Sequence, residues 1–358
     1  IGETAITDML MFENASIWHY HKFRTYFFIR NLIFEIRLIE KLAEQYQKIT
    51  YYGESGFLKK YPFDFSKLTI HLPLARKQKF NFWAIFNYLL FFKLRVIVGF
   101  FQNQRYRKTE HMVVDHAIKQ TLLNLHTLKP EQGNYYLEYL FEKVDDDFVI
   151  LDEVDIPKFN KGSDFSIKKW HFITKGRRLF AEIILLKGLM SRSVKKQLKS
   201  FDNQLAGKYK FIKSGLTDPV DLMIIDYMES LHASSKLYLF KYLAYKRFFS
   251  HHQFKSISTI DENSPRIKSI LDAAKMIGMK TIGIQHGTIH DLNPAFIYTK
   301  NDALRKIMPD FMLIWGESWK KLLSKIGNYD PESLYITGQI RTEIIQRLQK
   351  NKSNILTS

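Results

Sequence analysis

Three short apolar runs in the C-terminal third of the chain end in polar or glycine-bearing tips: Asp261–Glu262–Asn263, Gln285–His286–Gly287 and Trp315–Gly316–Glu317. An imidazole titrates near neutral pH, so His286 held at a strand end could take a proton from an attacking hydroxyl. Glu262, one run earlier, could orient that imidazole, stabilise its charge, or be the base itself. Gly287 lets the backbone turn sharply and a substrate come close. Asp261, Gln285, Gly287 and Gly316 are the remaining expected substrate contacts on these tips. A strand-end histidine also has a purely structural reading. His290 lies on the same loop, with nothing in the sequence to position it.

The elements that must hold these tips follow from residue 219 onward. Strands are expected at about 256–260, 281–285, 311–315 and 334–337, separated by helices at Ser264–Ile277, with Pro265 in its first turn, and Ser318–Ile326. Another helix is expected at Thr342–Lys350. Short connections between alternating strands and helices predict a parallel sheet of βαβ units, and in such sheets ligands gather outside the carboxyl ends of the strands. Residues 221–252 read as one helix. Upstream, residues 15–46 read as a long, largely buried helix, with strands at 49–52 and around "KLTIHLP". The run "DDFVILDEVDIP" reads as a buried strand. The fold class is therefore α/β, a Rossmann-like parallel sheet with flanking helices.

Within residues 255–350, the series "GIQHGTIH", Tyr298, "PDFMLIWGESWKKLLSKIG" and "YITGQIRTEII" resembles bacterial capsule- and surface-polysaccharide glycosyltransferases. More distantly it is similar to CDP-glycerol glycerophosphotransferases. The resemblance implies a GT-B-type architecture, in which two Rossmann-like domains face each other and a His-Gly pair lies on the first. Ile340 stands where the glycerophosphotransferase pattern has Pro, and Glu343 roughly where its Asp falls. On this reading residues 1–337 form the acceptor-side domain, including a basic aromatic segment at 73–109. Residues 338–358 begin a second, nucleotide-binding domain that is mostly absent. The implied activity is transfer from a nucleotide-activated sugar, or a polyol phosphate donor, to a cell-surface glycan or lipid-linked acceptor. His286 is then the acceptor-activating base, and Arg341 is placed to meet a phosphate. A sugar-nucleotide 2-epimerase-like enzyme shares the layout and is an alternative.

Composition narrows the remaining classes. The chain has 358 residues, 54 Lys and Arg against 36 Asp and Glu, and no cysteine. Disulfides and thiolate chemistry are thereby excluded, and a reducing, cytoplasmic setting fits. A net charge of +18 calls for an anionic partner. Residues 73–109 carry eight Lys and Arg and no acid around an apolar heart, Phe82–Phe101. That heart is long enough for a membrane span, but Lys93 and Arg95 inside it are costly in lipid. Two readings stay open: an interfacial helix on the inner face of the cytoplasmic membrane, or a core helix pair with a solvated basic rim. A second basic run at 168–213, including Lys168, Lys169, Arg177, Arg178, Lys195, Lys196 and Lys199, reads as a solvated helix face. A nucleic-acid-binding or non-catalytic assembly protein is the other class. No zinc spacing, P-loop, G-x-G-x-x-G or G-x-S-x-G motif occurs, and no metal site is expected.

Overall fold

The computed structural model describes residues 6–53, 56–72, 82–102, 109–116, 119–123, 130–134, 137, 148–153 and 178–339. The chain divides into two compact units, one from residues 1–78 and 196–240, the other from residues 79–195 and 241–358. The chain changes unit inside the Arg192–Ser214 and His232–Phe249 helices. No linker composition marks the division for that reason.

The first unit is mainly helical. Its longest helix, Ile17–Gln45, starts at Ser16, whose hydroxyl accepts from the His19 N–H. Leu32, Ile36 and Ile39 form the inward stripe of this helix, packing with Ile49, Leu58, Leu68 and Met223. The expectation of a largely buried helix needs correcting, because Phe23, Phe27, Phe34 and Leu38 are exposed on its other faces. Ile49–Tyr52 and Leu68–His71 pair as two parallel strands. The single helix expected over 221–252 is two, Pro219–Ser230 and His232–Phe249. The Ser230 hydroxyl bonds back to the Tyr227 carbonyl just before the break at Leu231, competing with the helix ladder there.

The second unit is built on a seven-stranded sheet. In chain order its strands are β1 (His111–His116), β2 (Phe148–Glu153), β3 (Arg178–Phe180), β4 (Ser256–Thr259), β5 (Lys280–Ile284), β6 (Phe311–Ile314) and β7 (Leu334–Ile336). Their order across the sheet is β7-β6-β5-β4-β1-β2-β3, and every neighbouring pair is parallel. The apolar runs Val149–Leu151 in β2 and Met112–Val114 in β1 are buried, as strands covered on both faces must be. All four strands expected in the C-terminal third are present and parallel. The Pro265–Met276 helix connects β4 to β5 and Glu317–Ile326 connects β6 to β7, while β5 leads to β6 through a loop that holds the short Lys300–Leu304 helix. The sequence did not announce β1, and its position matters most. It lies beside β4, and the chain leaves it towards β2 on one side while β4 leads to β5 on the other. That is the strand order of a doubly wound, Rossmann-like sheet, with its switch point between β1 and β4.

Candidate functional site

Ligands of doubly wound sheets bind outside the carboxyl ends of the strands, near the switch point. The register sets the level of each tip. Thr259 of β4 is paired with Gly283 of β5. Glu262 and His286 each follow that pair by three residues, so they lie on adjacent strand tips at equal depth. Asp261 and His286 are half-buried, and Glu262 is buried at 3% exposure. Burial is the main cause that raises the Glu262 carboxyl from the ordinary 4.5 to about 8. Its own backbone N–H and Lys268 oppose that rise, while the Asp261 charge adds to it. Glu262 is thus a neutral acid through physiological pH. Its Oε1 accepts from the Asn263 side-chain amide at 3.1 Å.

Asn263 passes the connection on to the loop that follows the His-Gly pair. The Tyr298 hydroxyl donates to Asn263 Oδ1 at 2.6 Å. The Asn328 side chain donates to the Tyr298 carbonyl, and the Tyr329 ring meets the Tyr298 ring edge-on at 5.8 Å between centroids. Gly327 is required here, since a Cβ would come within 2.5 Å of the Phe296 carbonyl oxygen. The far end of the 286–299 loop is therefore anchored beside Glu262. Among the expected site residues, Tyr298 entered only as part of a motif. Asn263, Asn328 and Gly327 were not anticipated, and only the positive φ of 50° at Asn328, an Asn following a Gly, had a readable signal.

Gln285 is used entirely within the chain. It is buried, its Nε2 donates to the Gly287 carbonyl at 3.0 Å, and its Oε1 accepts from the Trp315 N–H at 2.8 Å. The Trp315 indole N–H donates to the Gln285 carbonyl at 2.9 Å. Gln285 thus ties the tips of β5 and β6 together and holds the His286–Gly287 peptide in place. Gly316 caps the Glu317–Ile326 helix with extended backbone, φ −179°. At Gly287 and Gly316 a Cβ would meet nothing within 4 Å, and neither backbone is left-handed. The chain's own packing therefore does not require glycine at either place, and what remains is open space above two bonded strand tips. The chain bends at Gly287 as expected, without a left-handed backbone. Arg341 lies outside the described residues.

The other half of the carboxyl edge is closed. Arg178, buried at 2% exposure, donates to Asp115 at 2.7 Å and to Asp152 at 3.2 Å. Arg95 reaches Glu182 at 2.7 Å and the Asp152 carbonyl at 2.9 Å, with its guanidinium 4.1 Å from the Phe180 ring centroid. Lys241 and Tyr245 both donate to Glu153 at the tip of β2. Arg178 was expected on a solvated helix face and is instead the first residue of β3, because two carboxylates await it inside. Lys195, Lys196 and Lys199 are exposed on a helix as expected. Lys168, Lys169 and Arg177 lie outside the described residues. Between the two halves, Arg266 stands in the first turn of the Pro265–Met276 helix. Burial lowers its pKa, and the Glu153 charge opposes that shift. Among the described residues, no group of three or more His, Asp or Glu side chains is placed to hold a metal ion.

Comparison with protein-family models, with curated proteins and with solved structures finds no significant match to this chain.

Proposed function

We propose that the chain carries the acceptor side of a transferase that moves a glycosyl group, or a polyol phosphate, from a nucleotide-activated donor to a hydroxyl. The observation that carries this reading is the placing of a half-buried imidazole and a buried carboxyl, whose pKa burial raises, on adjacent carboxyl-edge tips beside the switch point. In glycosyl transfer the acceptor oxygen forms a bond to the anomeric carbon, and its proton passes to a base. The bond from that carbon to the donor diphosphate breaks, and the diphosphate leaves with the electron pair. Glu262 is protonated at neutral pH, which makes His286 the base and leaves Glu262 to fix the local hydrogen bonds. In this reading Arg266, in the first turn of a helix beside the switch point, meets the diphosphate charge. The GT-B-type architecture and a second, nucleotide-binding domain beyond residue 338 belong to the same proposal. They rest on the resemblance of residues 255–350.

Release of nucleotide from a panel of UDP-, CDP- and GDP-activated sugars, with glycan and lipid-linked acceptors, tests it. His286→Ala should lower kcat by roughly 10²–10⁴-fold with an unchanged melting temperature. A variant that melts normally and releases nucleotide at the wild-type rate would assign His286 to structure.

A further inference from the structure

The Phe82–Gln102 helix presents two unlike faces. At about 100° per residue, Ala84, Phe91, Arg95 and Gly99 fall together on one side, and all four are buried. Gly99 lets this side sit close, since a Cβ there would lie 3.4 Å from the Phe180 ring and 3.6 Å from Ile183. Arg95 pins it through Glu182 and Asp152. The opposite arc, about 140° wide by the same helical geometry, holds Phe82, Trp83, Phe86, Leu89, Leu90, Lys93, Leu94, Ile97, Phe100 and Phe101. All of these are exposed, with Phe82 at 82% and Phe101 at 76%. The helix is long and apolar enough to cross a membrane. Spanning would pull Arg95 away from two buried carboxylates and leave all three charges uncompensated in apolar surroundings.

An aromatic arc of this size, on a helix fixed along its other side, calls for a partner. We propose that this arc docks on an anionic lipid bilayer, with the helix lying along the interface. Charge complementarity selects that occupant. Arg76, Lys77 and Lys79 precede the helix in sequence, Arg105, Arg107 and Lys108 follow it, and no acid occurs from 73 to 109. Lys93 is the single charge within the arc and is long enough to reach the headgroups. Aromatic residues stand at both ends of the arc, where an interfacial helix meets headgroups. The inference stands apart from the transferase reading, to which it adds only a surface where lipid-linked acceptors reside.

Flotation of the full chain with phosphatidylcholine vesicles, with and without phosphatidylglycerol, at low and high salt, tests the proposal without any donor or acceptor. Binding is expected to anionic vesicles only and to weaken with salt, because exposed charges are screened over about 8–10 Å. The pair Phe86→Glu and Phe100→Glu, both at exposed positions, should keep the melting temperature and weaken binding at least about tenfold. Absence of binding, equal binding to neutral vesicles, or undiminished binding by the variant would overturn it. So would retention of the protein in membranes after alkaline carbonate extraction, which would indicate a span. A lipid-indifferent dimer that the same substitutions turn into a monomer would assign the arc to a second copy instead. Nucleotide release, measured separately, shows whether the transferase reading fails or stands.

Discussion

The two halves of the sheet's carboxyl edge are made from similar residues and do different things. At the tips of β1 and β2, Asp115, Asp152 and Glu153 are buried, and each carboxylate faces a cation brought from elsewhere in the fold. At the tip of β4, Glu262 is equally buried, but the side chain bonded to it is a neutral amide, that of Asn263. A cation against a buried carboxylate locks it in place, whereas burial without such a partner favours the neutral acid. The first arrangement closes an edge. The second leaves a carboxyl whose pKa burial raises to about 8, on the strand tip next to the one that carries His286 and the open Gly287.

The comparison can be broken most severely at its closed half. Arg178→Ala takes its cation from buried Asp115 and leaves Asp152 with Arg95 alone, and should cost about 3–5 kcal/mol of stability, read by chemical denaturation. Lys195→Ala, an exposed cation from the same stretch of sequence, should change stability by no more than about 0.5 kcal/mol. Equal effects of the two would mean that the buried ion pairs are not what closes that edge. The open half should be nearly indifferent. Gly287→Ala and Gly316→Ala meet no neighbour and need no left-handed backbone, so each should shift stability by less than about 1 kcal/mol. If a ligand approaches these tips closely, the same substitutions should weaken transfer far more than they alter melting. A large loss of stability from either would show that the space above them is filled by the chain itself.

The open half was largely legible from sequence, and the closed half was not. Strands β4 to β7 are apolar runs ended by polar or glycine tips and separated by helices with Pro or Gly at their starts, so local patterning suffices. Strand β1 shows only Met112–Val114 between polar residues, and its pairing with β4 joins His111 to Ser256, 145 positions away. Ion partners are as remote in the chain, 63 positions for Arg178 with Asp115 and 87 for Arg95 with Glu182. Nothing local separates a lysine destined for solvent from an arginine destined for the core. Gln285 was legible as a tip residue but not as a clamp, because its partner Trp315 lies on another strand. The interleaved units were invisible for a related reason, since the chain changes unit within helices.

The central claim is that Glu262 is held neutral by the fold, and its titration tests that most directly. A carboxyl whose pKa is raised from 4.5 to about 8 on folding lends stability that is fully present at and below about pH 4.5. That stability is lost as pH rises through about 8, at up to about 1.4 kcal/mol per pH unit. Glu262→Gln removes the titration while keeping an amide of similar shape. Melting of the two proteins from pH 5 to pH 9 should show the glutamine variant gaining steadily on the wild type as pH rises, with the difference levelling off above about pH 8. Parallel melting curves across that range would mean that Glu262 ionises in the folded protein as an ordinary carboxylate, and the distinction between the two halves of the edge would fall.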